Sequence, residues 1–205
     1  AGPAAQPLVP SAPPSPPSPS APVPAASSFG WAVELGWAAA FDGGASTGQH
    51  ALEARLGLTM PWFSISACGR AGFAAELPDR WATVELSRHA VGLAADVVIE
   101  LVDGVDLSFG FELGAAAYRR SAGNAASGVS LRSARTLWSF AVAPEVRLAW
   151  RPLALQGVGF VVSVAAEWLP AAPRLGYDEG GVFVIAHELS PFQARIGFGL
   201  TFATR

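Results

Sequence analysis

From Phe29 to Phe202 the chain reads in steps of two, with bulky apolar side chains on one face and small or polar ones on the other. In the first run Phe29, Trp31, Val33, Leu35, Trp37, Ala39 and Phe41 share a face, opposed by Gly30, Ala32, Glu34, Gly36, Ala38 and Ala40. Side chains alternate along a strand, so each such run predicts one β-strand. Further runs cover 51–62, 63–73, 91–101, 105–114, 138–150, 157–168 and 192–202. Eight strands result, each close to the roughly 9–11 residues that cross a bilayer at a tilt. Their links alternate. Met60–Phe63, Val102–Gly104 and Arg151–Ala154 are short, whereas 42–50, 74–89, 119–135 and 170–191 are long. The pattern predicts an all-β, eight-stranded antiparallel up-and-down barrel with both chain ends at the short-turn rim, so that Ala45–Gly48 lies at the other.

Bulk decides which face is outside. An eight-stranded barrel has a lumen only just wide enough for side chains. Trp31, Trp37, Trp62, Trp138, Trp150 and Trp168 share the apolar face with many Phe, too much volume for that space. The opposite face is Gly, Ala and Ser with isolated Glu and Arg, far poorer in charge than a water-facing surface. Lipid is therefore expected outside. Aromatic residues ten positions apart (Trp31 and Phe41, Phe63 and Phe73, Phe192 and Phe202) agree with this. At about 3.3 Å per residue and a tilt of about 40°, that spacing is about 25 Å, the height between two aromatic girdles.

Composition narrows the classes further. The 205 residues are 51% hydrophobic and 14% charged with a net charge of −3, which argues against a nucleic-acid binder. All 13 cationic side chains are Arg, and the single Cys68 excludes an internal disulfide. Residues 1–28 form a separate Pro/Ala/Ser-rich segment, with ten prolines and no charge, expected to be an extended, disordered linker. It lacks the basic start and apolar run of a signal peptide. With Met60 the only Met, a signal peptide or a whole upstream domain is expected before residue 1.

Residues 29–205 resemble the small eight-stranded outer-membrane barrels of Gram-negative bacteria, the OmpA-like and OmpX-like group. The final strand, 195–202, resembles the assembly signal read by that group's insertion machinery, through Arg195, Gly197, Leu200 and Phe202. It departs in that Ala203, Thr204 and Arg205 follow the terminal aromatic. The resemblance implies a bacterial outer-membrane location, periplasmic termini, outer-membrane lipids and lipopolysaccharide as surroundings, and the insertion machinery as a partner during assembly.

Chemistry is sparse. His50, His89 and His187 have no partner at metal-ligand spacing, so neither metal nor cofactor is expected. Some barrels of this group modify lipid A. Here His187-Glu188-Leu189-Ser190 and Ser87-Arg88-His89 offer the right residue types, but the deacylases of the group carry His and Ser two apart in that order. Polar rim residues are the favoured reading. The inward Arg55, Arg70, Asp96, Glu112, Glu145 and Arg195 are expected to form one mutually paired layer, either a plug or simply a satisfied polar core. Arg195→Leu would then strand an acid. Arg119, Arg120, Arg132 and Arg135 crowd one long link, which is expected either to contact lipopolysaccharide phosphates or to be incidentally charged. The function expected is a non-enzymatic, non-conducting anchor or surface barrel. The alternatives are a lipid A-modifying enzyme and an adhesion or ligand-binding barrel acting through its long loops.

Overall fold

The computed structural model describes residues 2, 29–43, 45, 47–131, 135–155 and 157–204. The linker assigned to 1–28 lies outside the described residues, apart from Gly2. The described residues form twelve strands and one short 3-10 turn: β1 Gly30–Phe41, β2 Gln49–Thr59, β3 Phe63–Gly72, β4 Ala74–Pro78, β5 Ala82–Val102, β6 Val105–Ala125, β7 Val129–Leu131, β8 Arg135–Trp150, β9 Val158–Trp168, β10 Arg174–Glu179, β11 Val182–Glu188 and β12 Phe192–Ala203.

Eight staves close into a barrel. β1 pairs with β2, β2 with β3, β3 and β4 with β5, and β5 with β6; β8, β9 and β12 follow, all antiparallel. Ten residue pairs between β1 and β12, from Ala32↔Ala203 to Phe41↔Ala194, complete the ring. β4 continues β3 past an irregularity at Phe73, so the two count as one stave. Closure pairs every barrel edge, which is what a strand needs where no water can satisfy its backbone. The tight link between β5 and β6 turns at Gly104, whose φ of +80° suits glycine.

The alternation has the predicted sense. Trp62, Trp138 and Phe192 are 66%, 67% and 70% exposed, and Leu52, Leu56, Leu93, Phe111 and Phe198 join the same outer surface. Trp37 also faces outward but is half-buried, stacked on His50 at 5.1 Å. An apolar belt of this extent is stable in lipid and a liability in water.

Three of the long links, 74–89, 119–135 and 170–191, are structured. β5 and β6 each run to 21 residues, so 82–89 and 119–125 are strand, and only Asp79–Trp81 separates β4 from β5. The physical reason is a change of solvent along one strand. Below Ala90 the apolar side chains of β5 point out to lipid, as at Val91 and Leu93; above it they point in, as at Leu86 and Val84, while Glu85, Ser87 and His89 point out. β10 and β11 form a hairpin over the long-loop rim, with β7 on the other edge of β10. Tyr177 of this hairpin bonds Asp79; burial, aided by that carboxylate, raises its phenol pKa.

Candidate functional site

The lumen has three zones, stacked along the barrel axis. At the long-loop end it is sealed by an apolar lid. Leu77, Leu86, Tyr118, Leu169, Leu175 and Leu189 are buried together there, with Ala90, Ala116 and Ala141 beneath. Leu169 and Leu189 come from the link holding the β10–β11 hairpin, so the loop folds back into the mouth of the barrel.

Below the lid lies a network of charge. Arg70 donates twice to Glu112, once at 2.9 Å. Arg195 donates to the same carboxylate at 2.7 Å and stands 3.7 Å from Glu145. Arg55 donates to Glu145 at 2.7 Å and approaches Asp96 at 3.9 Å. The six inward residues singled out from the sequence thus form one continuous chain of ion pairs, Arg70–Glu112–Arg195–Glu145–Arg55–Asp96. Each is under a tenth exposed, so each charge depends on these partners rather than on water.

The network is larger than three acids and three Arg, and it does not lie in one layer. Arg147 pairs with Glu34 and approaches Asp96 at 3.9 Å; Glu53 stands 3.5 Å from Arg55. Nearer the lid, Arg88 meets Glu167 at 2.5 Å and lies over the Tyr118 ring. At the opposite rim Arg151 pairs with Asp106. All of these occupy inward positions, so parity alone could have nominated them. What the sequence lacked was depth, which depends on how the staves are staggered. Arg195→Leu accordingly does not strand an acid: Glu112 keeps Arg70 and Glu145 keeps Arg55.

The third zone is hollow. From the level of Arg55, Arg147 and Glu34 down to the short-turn rim the lumen contains a cavity of about 400 Å³, open at that rim and lined by small residues such as Ala32, Gly57, Ser66 and Ser108.

On the outside, the four Arg assigned to lipopolysaccharide are divided. Arg119 and Arg120 belong to β6 and Arg135 to β8, so the expected loop is a strand pair here. Arg119 is exposed on the outward face, opposite Thr136, whereas Arg120 and Arg135 face each other across the next register position and present the other side. Arg132 lies outside the described residues. Within the assembly signal, Arg195 and Gly197 point into the lumen and Leu200 and Phe202 out to lipid. The Ser87 hydroxyl and His89 Nε2 are 3.3 Å apart on the outward face near the long-loop rim. No contact to a carboxylate is seen at His89 among the described residues, and no group of three His, Cys, Asp or Glu among them could hold a metal ion.

Several solved structures are similar to this architecture. Neisserial surface protein A (NspA) matches with a TM-score of 0.55 at 10% identity, over 86% of this chain and 97% of that one. Ail, the attachment invasion locus protein of Yersinia pestis, crystallised with the heparin analogue sucrose octasulfate, matches with a TM-score of 0.52 at 10% identity, over 86% and 99%. No family model and no curated protein sequence matches the chain. At such low identity the likeness is one of architecture, and it shows that residues from Phe29 onward have the fold of the small eight-stranded outer-membrane barrels.

Proposed function

We propose that the chain is an integral outer-membrane protein that works as an anchor or surface protein, without catalysis and without a conducting pore. One observation carries the reading: an apolar exterior encloses a lumen that the lid and the ion-pair chain close at the long-loop end. Its termini are periplasmic in this reading, and residues 1–28 tether it to an upstream periplasmic domain. The long-loop rim then faces outward, with Arg119 at headgroup height, one step above the level of Trp138, to pair with lipopolysaccharide phosphate. The heparin analogue crystallised with Ail, sucrose octasulfate, shares that anionic chemistry and serves as a competitor for lipopolysaccharide binding. A membrane-impermeant thiol reagent on intact cells tests the orientation in a Cys68→Ala background. Val182→Cys on the hairpin should label and Leu153→Cys at the short-turn rim should not; the reverse pattern sinks the assignment.

A second reading, lipid hydrolysis, rests on the Ser87–His89 contact on the outward face near the long-loop rim. The non-enzymatic reading is preferred because no carboxylate is seen to orient His89, as a base paired with a nucleophile requires. Ser87→Ala decides between them: lipid A with unchanged acyl content supports the anchor, and altered acylation that depends on Ser87 supports the enzyme.

A further inference from the structure

Ser87 and His89 belong to a wider polar array on the outward face. Directly opposed residues of antiparallel strands share a face, with Cβ atoms about 5 Å apart, so the register lines up rows across the staves. The first row at the long-loop rim is His89, Ala117 and Trp138. The next is Ala74, Ser87, Arg119 and Thr136. A third holds Glu76, Glu85 and Ser121. Successive rows on one face are two residues apart, about 7 Å along the strand.

The middle row is rich in donors and has no acid. Exposed Arg119 stands between the hydroxyl residues Ser87 and Thr136, each on a different neighbouring stave. Its guanidinium offers two parallel N–H groups, and each hydroxyl offers one O–H. The Ser87 hydroxyl lies 3.3 Å from His89 Nε2, and an imidazole N–H donating to that oxygen leaves the hydroxyl proton for a ligand. Four donors on three staves match the three free oxygens of a phosphate monoester better than the two of a diester. The carboxylates sit one row farther out, where Glu85 faces Glu76 and accepts from the Ser121 hydroxyl at 2.8 Å. That spacing is within the Debye length of about 10 Å, so they oppose an anion arriving from water. A phosphate carried by a lipid reaches Arg119 from the membrane side, past Trp138 and the small Ala117.

We propose that Ser87, Arg119 and Thr136 form a clamp for the phosphate monoester of a membrane lipid, with His89 as the residue that positions the Ser87 hydroxyl. The clamp rests on the reading that Arg119 meets headgroup phosphate, and it adds the partners and the ligand class.

Native mass spectrometry of the refolded full-length chain in zwitterionic detergent micelles tests it, with dioleoyl phosphatidic acid and dioleoyl phosphatidylglycerol as the two probes. The monoester should bind about 10-fold more tightly than the diester, the worth of one further charge-assisted hydrogen bond. Ser87→Ala and His89→Leu should each abolish that preference, and His89→Gln, which restores an N–H donor, should keep it. Equal affinity for the two lipids in the parent overturns the clamp, as does a preference that survives Ser87→Ala. Loss of the preference in His89→Gln overturns the positioning role. Inorganic phosphate at millimolar concentration should not displace phosphatidic acid; displacement overturns the lipid source. A parent without the preference, in which Arg119→Gln still weakens lipopolysaccharide retention, overturns the clamp and leaves the Arg119 contact standing.

Discussion

Glu112→Gln is the sharpest test of the charge network, because Glu112 is the only acid bonded to both Arg70 and Arg195 among the described contacts. The substitution keeps the shape and removes the charge. Three charge-assisted hydrogen bonds lose their anion, and two buried guanidinium groups face a neutral amide. Removing one partner of a buried ion pair costs about 3–5 kcal/mol, because the remaining charge stays out of water. Arg195→Leu removes a cation from the same cluster, but both its acids retain another Arg, so its cost is set by lost hydrogen bonds at about 1–3 kcal/mol. A gap of about 2 kcal/mol is roughly 30-fold in the unfolding equilibrium. Urea unfolding in phospholipid vesicles, followed by tryptophan fluorescence and electrophoretic mobility, measures both variants. If Glu112→Gln costs under about 1 kcal/mol, or no more than Arg195→Leu, the pairing scheme is wrong.

Three further outcomes follow from the same geometry. Planar-bilayer recordings of the unmodified protein should show no steady porin-like current, since the lid and the ion-pair chain block the lumen in series; large sustained conductance refutes the seal. Charged replacements at Phe202, which meets lipid, or at Gly197, where even a Cβ would come within 2.7 Å of the Ser163 hydroxyl, should cut membrane insertion more than the same change at exposed Thr204. Equal membrane yields contradict that role for the last strand. Arg119→Gln should weaken retention of lipopolysaccharide several-fold while Arg135→Gln, on the other side of the ribbon, changes it little; equal effects argue against an outward-facing phosphate contact.

What could be read in advance followed the solvent. Where a stave has lipid on one side and the lumen on the other, as in β1, β9 and β12, the period-two pattern placed its ends within about two residues, because the two environments demand opposite side chains. The upper halves of β5 and β6 escaped that reading. There lipid gives way to water and the lumen to an apolar lid, so the polarity of the alternation reverses between Ala90 and Val91 and the pattern loses phase. Leu169, Leu175 and Leu189 sit in a stretch without strong periodicity, and only the folded hairpin brings them over the lumen. Among the charges, direction was legible from parity and partnership was not. Arg88 and Arg70 lie on consecutive staves, yet the stagger sends one to Glu167 and the other to Glu112.

The long β5–β6 ribbon also fixes a height. Ala117 is level with Trp138 at the long-loop rim, and β6 continues eight residues beyond it to Ala125. At about 3.3 Å per residue and a tilt of about 40°, the tip stands about 20 Å clear of the apolar belt. A free two-stranded ribbon is marginally stable in water, but here β4 pairs along the β5 edge, and the ribbon is braced where Tyr177 reaches Asp79 and where Trp81 accepts a backbone bond from Ala126. The ribbon is therefore a mast of set length rather than a loop. Two residues added to each strand would raise its tip by about 5 Å with every face preserved, whereas a single added residue would turn its outward side chains inward.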